Sequence, residues 1–104
     1  MPEIDIGAMQ SQAHLAAALL KTLANEHRLL ILCLLSEGEL SVSQINERVS
    51  LTQSALSQHL AVLREQDLVQ TRREAQTIFY SLQAGVAQQI IAVLHDHYCC
   101  APSK

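Results

Sequence analysis

Tryptophan is absent from the 104 residues, and aromatic side chains make up only 3% of them. A core without large rings must be built from aliphatic side chains, which suits leucine-rich helices better than a β-sandwich. Three glycines and two prolines are too few for a collagen-like or disordered chain, and 49% apolar residues exclude a solvating tail. Long apolar runs are missing as well: none approaches the roughly 18 residues that span a bilayer. The start, Met1-Pro2-Glu3-Ile4-Asp5, is acidic and has no basic segment ahead of an apolar one, so it does not read as a secretory signal. These absences predict one soluble domain over residues 1–104, acting in the cytoplasm with no membrane partner.

Basic excess is missing too. Seven Lys+Arg against ten Asp+Glu leave a net charge of −3, the wrong overall sign for a nucleic-acid binder. DNA binding then depends on where the cations sit rather than on how many there are. The three cysteines, Cys33, Cys99 and Cys100, are odd in number and do not form a disulfide framework of the secreted kind. In a cytoplasmic setting they serve as buried filler, metal ligands or redox thiols.

What is present is helical periodicity. Ala16, Leu19, Leu20 and Leu23 mark one stripe of a first helix over 9–24. Asn25 is suited to cap a second, whose run Leu29-Leu30-Ile31-Leu32-Cys33-Leu34-Leu35 is apolar all round and so predicts burial on every side, with Gly38 closing it. Ser41 with Gln44 three residues on is a capping box, and Leu40 with Ile45 is its hydrophobic staple. Leu51, Thr52 and Leu56 repeat the signal and open a helix from Gln53 to about Glu65. Two short helices across a tight turn, residues 41–65, form a helix-turn-helix pattern. In the second of them Leu56, Leu60 and Leu63 point inward, while Gln53, Ser54, Ser57, Gln58 and His59 point outward without an acid before Glu65. A solvated face is normally laced with Glu and Lys; neutral donors and acceptors near a helix N-terminus suit base edges and phosphates instead.

Beyond Asp67 the β-branched and aromatic residues of 68–73 and 77–82 predict a hairpin around a polar tip, with Arg72 and Arg73 the only adjacent cations in the chain. A last helix, about Val86 to Tyr98, is apolar over more than one stripe, which predicts a subunit contact.

This order resembles the ArsR/SmtB family of bacterial dimeric repressors. The resemblance rests on Leu23-Ala24-Asn25-Glu26-His27-Arg28-Leu29, on Glu39-Leu40-Ser41-Val42, on the run from Leu51 to Arg64 with its Ser57-Gln58-His59-Leu60 centre, and on Phe79-Tyr80-Ser81-Leu82. It implies a mainly α winged helix-turn-helix with a β-hairpin wing, dimerised through its first and last helices. It also implies a pseudo-palindromic double-stranded DNA operator read by paired recognition helices roughly 34 Å apart. On that fold the expected DNA contacts are Ser43, Gln44, Gln53, Ser54, Ser57, Gln58 and His59, with Arg72 and Arg73 of the wing reaching flanking phosphates or the minor groove. No catalytic residue is expected, because a glycine-poor chain of this size shows no oxyanion loop beside an activated thiol.

Metal-sensing relatives carry Cys-Val-Cys where this chain has Ser41-Val42-Ser43, and hydroxyls are poor substitutes for thiolates toward soft metals. His95, Asp96 and His97 imitate half of a second metal-site type, with only seven residues following. No resident metal or cofactor is therefore expected. The contexts of Cys33 and Cys99 resemble the sulfide- and persulfide-responsive branch of the family, in which these two positions are the sensing dithiol and reactive sulfur species are the inducer. The resemblance thus implies a repressor controlled by a Cys33–Cys99 disulfide or polysulfide bridge. The alternatives are a zinc-responsive regulator using Cys33, His95 and Cys99, and a ligand-independent DNA-binding regulator or antirepressor.

Overall fold

In the computed structural model, which describes residues 5–99, Asp5 accepts a hydrogen bond from the Ala8 amide at 3.2 Å and caps helix α1, Ile6–Leu23. The helix thus begins three residues earlier than its apolar stripe suggests, because the cap and not the stripe sets its start. Asn25 caps α2, Glu26–Leu35, by accepting from the amides of His27 and Arg28 at 3.0 Å each. Arg28 in turn donates through Nε to the Thr22 carbonyl at 2.7 Å and so fastens the end of α1 to the start of α2.

The α2 helix is the hub. It touches α1 on one side and, on the others, two later helices and a strand of the hairpin. Ile31, Leu32 and Leu35 are buried, each contributing about 2 kcal/mol by leaving water. Burial on every side, however, is not what the chain achieves: Leu30 remains 43% exposed. Nor does Gly38 sit at the first position past the helix; it lies two residues after the Ser36 cap, at φ 146°.

A two-residue strand β1, Leu40–Ser41, leads into α3, Val42–Arg48. The capping box is complete: Ser41 Oγ accepts from the Gln44 amide at 3.2 Å, and Gln44 Oε1 accepts from the Ser41 amide at 2.8 Å. Asn46 donates to the Leu51 carbonyl at 3.3 Å across the turn. Thr52 then caps α4, Gln53–Glu65, through the Ala55 amide at 3.1 Å. The C-terminus of α4 is a Schellman motif, with the Leu68 amide donating to the Leu63 carbonyl at 2.9 Å and the Asp67 amide to the Arg64 carbonyl at 3.1 Å. Asp67 takes the left-handed conformation there, at φ 60°, and the buried pair Leu63 and Leu68 supplies its apolar contact.

Strands β2, Val69–Glu74, and β3, Thr77–Leu82, form the hairpin, and β1 adds on the far side of β3 to give an antiparallel sheet in the order β1-β3-β2. Glu74 pairs with Thr77, leaving a two-residue turn in which Ala75 holds φ 57°. The last helix, α5, covers Val86–Leu94 and seats Ala87 and Ile91 in the core. It does not continue as α-helix to Tyr98: residues His95–Cys99 form a π-helical turn. His95 Nε2 lies 3.1 Å from Glu37 Oε2, which ties the start of that turn to the segment after α2. The innermost side chains, Ile31, Leu32, Ile45, Leu56, Leu63 and Ile91, are all aliphatic and come from α2, α3, α4 and α5.

Among the described residues, the large apolar side chains left exposed are Ile6, Met9, Leu15 and Leu20 of α1, Leu30 of α2, Val86 and Val93 of α5, and Tyr98 of the π turn. None belongs to the helix-turn-helix or the hairpin.

A left-handed alanine costs about 1 kcal/mol through its Cβ, and glycine removes that penalty. Ala75→Gly is therefore expected to stabilise the fold by about 0.5 kcal/mol after its greater unfolded-state entropy is counted. A chemical unfolding midpoint that stays put or drops would show that the turn is not strained.

Candidate nucleic-acid interface and thiol site

The outward face of α4 exists because its inward face is committed. Leu56, Leu60 and Leu63 are buried against the hub, so Gln53, Ser54, Ser57 and Gln58 are exposed. No acid precedes Glu65 on this helix, and its N-terminal amides carry partial positive charge. His59 is half-buried and stands apart from the other four. Its ring lies 5.6 Å from that of His27 on α2, inclined at 34°. Burial, then the nearby positive charge of Arg28 and of His27, lowers its pKa below the usual 6.5. His59 is thus held toward the neutral form, able to donate through one ring nitrogen and accept through the other.

On α3, Ser43 and Gln44 are both exposed, but Gln44 Oε1 is engaged in the capping box. Ser43 is the freer of the two to meet a ligand.

The two wing arginines do different things. Strand pleating sends neighbours to opposite faces, so Arg72 and Arg73 cannot reach the same groove wall together. Arg72, opposite Phe79 in the register, lays its guanidinium 4.5 Å above the Phe79 ring centroid. It donates from Nε and Nη2 to the two carboxylate oxygens of Glu39 at 2.8 and 2.9 Å, and from Nη1 to Glu74 at 3.3 Å. Those hydrogen bonds, Glu39 first, raise its pKa above the ordinary arginine value. Arg73, opposite Ile78, is exposed on the other face. Glu39, Phe79 and His27 all escape sequence reasoning. Glu39 lies 33 residues from Arg72 and meets it only through strand pairing. The opposite facing of Arg72 and Arg73, by contrast, was available from the period of two.

The thiol region lies on the other side of α2. Cys33 is half-buried and lines a cavity of about 290 Å³ together with Glu26, Leu29, Leu30, Leu94 and Tyr98. Tyr98 immediately precedes Cys99, which closes the π turn. The Cys99 side chain and all of Cys100 lie outside the described residues. His95 faces Glu37, and among the described residues no three His, Cys, Asp or Glu side chains gather as a metal site.

A helix-turn-helix is thus followed by an antiparallel hairpin, with an acid-free outward face on α4 before Glu65. The profile of bacterial regulatory proteins of the arsR family matches residues 25–71. The transcriptional activator HlyU of Vibrio cholerae is 49% identical over 98 residues, covering 94% of this chain and 91% of that protein. The chain belongs to the ArsR family. A biofilm growth-associated repressor of Agrobacterium fabrum is 44% identical over 98% of this chain and 86% of its own length. The solved structure of reduced HlyU from Vibrio cholerae matches with a TM-score of 0.84 at 51% identity, over 88% of this chain and 97% of that one. The transcriptional repressor BigR from Xylella fastidiosa matches at 0.86 and 38% identity, over 96% and 99%. Within the ArsR family the chain falls in the branch that contains HlyU and BigR, and it is a transcriptional regulator, not an enzyme. Regulators of this family bind DNA and typically dimerise.

The lowered pKa of His59 makes stability depend on pH. The unfolded chain takes up the proton more readily than the folded one, so this contribution is complete above about pH 6.5 and is lost as pH falls through the lower folded value. His59→Gln removes it while the other histidines remain. The stability difference between parent and variant is therefore expected to shift against the parent from pH 7 to about pH 5; a constant difference would show that folding does not perturb this imidazole.

Proposed function

We propose that this chain is a cytoplasmic homodimeric repressor whose affinity for a pseudo-palindromic operator is set by the redox state of Cys33 and Cys99. The observation that carries the reading is the position of Cys33. It opens on an apolar cavity between the hub helix and the π turn that ends in Cys99. Two further facts support it. One relative was solved as its reduced form, and others are described as repressors. The exposed apolar side chains of α1, α5 and the π turn suit a second copy, which would set two α4 helices side by side.

In this mechanism Ser54, Ser57, Gln58 and Gln53 address base edges and phosphates from α4. Ser43 and Gln44 flank them from α3, His59 hydrogen-bonds at the margin, and the wing holds the neighbouring backbone through Arg73, while Arg72 faces the other way. The inducer is an organic persulfide, R–S–SH. The thiolate of one cysteine attacks its outer sulfur, the S–S bond breaks, and the thiol R–SH leaves. The cysteine now carries S–SH. The second cysteine's thiolate attacks the inner sulfur of that group, forming Cys–S–S–Cys and releasing hydrogen sulfide. When the second cysteine has first taken a sulfur from another R–S–SH, its terminal sulfur attacks instead and the product is the trisulfide, again with hydrogen sulfide leaving. Each inserted sulfur lengthens the bridge by about 2 Å, so a pair too far apart for a relaxed disulfide can still be joined. That favours sulfur donors over peroxide. Because Cys33 stands on the hub, a bridge that displaces α2 displaces α4, and about 2 kcal/mol of differential binding changes operator affinity about thirtyfold.

Serine at either position tests this. Cys33→Ser and Cys99→Ser are expected to bind DNA like the reduced parent and to lose the drop in affinity when an organic persulfide is added. Intact mass should show a bridged parent, with one sulfur added per trisulfide link, and unbridged variants. Variants that respond as the parent does would end the dithiol reading. Zinc retained by the parent and lost from Cys33→Ser would favour the metal-responsive alternative.

A further inference from the structure

Arg72 reaches from one edge of the sheet to the other. It starts on β2, passes over Phe79 of the central strand β3, and ends on Glu39, the residue before β1. Ser41 pairs with Phe79 and Phe79 with Arg72, so one cross-strand row joins all three strands. Glu39, two residues before Ser41, continues the same side of the chain, and Glu74, two after Arg72, closes the cluster from the tip. The fork is bidentate, with both nitrogen–oxygen distances below 3.0 Å, and the guanidinium plane is stacked as well. Three restraints on one side chain exceed what a phosphate contact needs. Three of the five N–H donors of the guanidinium are already taken by carboxylates.

Glu39 is the last residue before the strand and cap that start α3, so the pair links the wing to the entrance of the helix-turn-helix. We propose that Arg72 is a positioning residue, which braces the wing against the entrance of α3 through Glu39, and that Arg73 is the wing cation that meets the DNA backbone. The assignment rests on the chain binding duplex DNA through α4 and the wing.

The sign of one substitution separates this from a direct phosphate contact. Glu39→Gln removes a negative charge from a protein that binds a polyanion and frees Arg72. If Arg72 touches phosphate, affinity rises. If Arg72 braces the wing, the fork is lost, the wing swings, and affinity falls, by about threefold for a half-exposed pair. The measurement is fluorescence anisotropy over a range of salt, with a labelled duplex recovered by the parent protein from a random-sequence pool. Arg72→Ala and Arg72→Lys are expected to weaken binding alike, because lysine has neither fork nor plane, and both should leave the salt slope unchanged. Arg73→Ala should lower the slope by about one. Arg72→Ala combined with Glu39→Gln should be no worse than either alone. Tighter binding by Glu39→Gln, unchanged binding by it, or a slope lowered by Arg72→Ala each overturns the assignment. A parent that recovers no duplex from the pool overturns the DNA reading beneath it and the assignment with it.

Discussion

One interior is shared by two surfaces. Ile31 and Leu32 of α2 interlock with Leu56 and Leu63 of α4, and none of the four is more than marginally accessible. Close-packed aliphatic side chains leave no slack in which a helix can move alone. The outward face of α4 and the flank of α2 that carries Cys33 are therefore two surfaces of one solid object. In this arrangement the proposed thiol chemistry does not need to touch the recognition helix. It needs only to tilt the helix on which the recognition helix rests.

Electrostatics follow the same economy. The net charge of −3 is not spread evenly over the surface. Glu39 and Glu74 are engaged by Arg72, and Glu37 by His95. The outward face of α4 carries none before Glu65. An acidic chain can thus present a locally neutral face to a polyanion, with the helix N-terminus supplying partial positive charge. Such a protein holds non-cognate DNA weakly, because few counterions are released on binding, and discrimination falls to hydrogen bonds.

Much of this was legible in the chain. Thr52, Ser41, Gln44 and Asn25 announce their helix starts because capping is a local transaction between residues two or three apart. The division of α4 into buried leucines and exposed Gln, Ser and His follows from helical period alone. What the chain concealed has several causes, contacts with distant partners among them. Asp5 overrode the apolar stripe of α1. The short β1 has too few residues to show a period. The π turn after Leu94 interrupts a pattern that would otherwise run on to Tyr98, and its tie to Glu37 joins positions 58 residues apart. Leu30 read as core because an unbroken apolar run cannot tell an interior flank from an exposed one. The opposite facing of Arg72 and Arg73, in contrast, was open to view, because neighbours on a pleated strand alternate.

The order β1-β3-β2 leaves β2 as an outer strand of its sheet. Outer strands carry backbone donors and acceptors that invite stacking by other chains, and long apolar ones seed aggregates. This one runs Gln70, Thr71, Arg72, Arg73, Glu74, with charge concentrated toward the tip. Charges so placed keep two such edges from pairing into one continuous sheet.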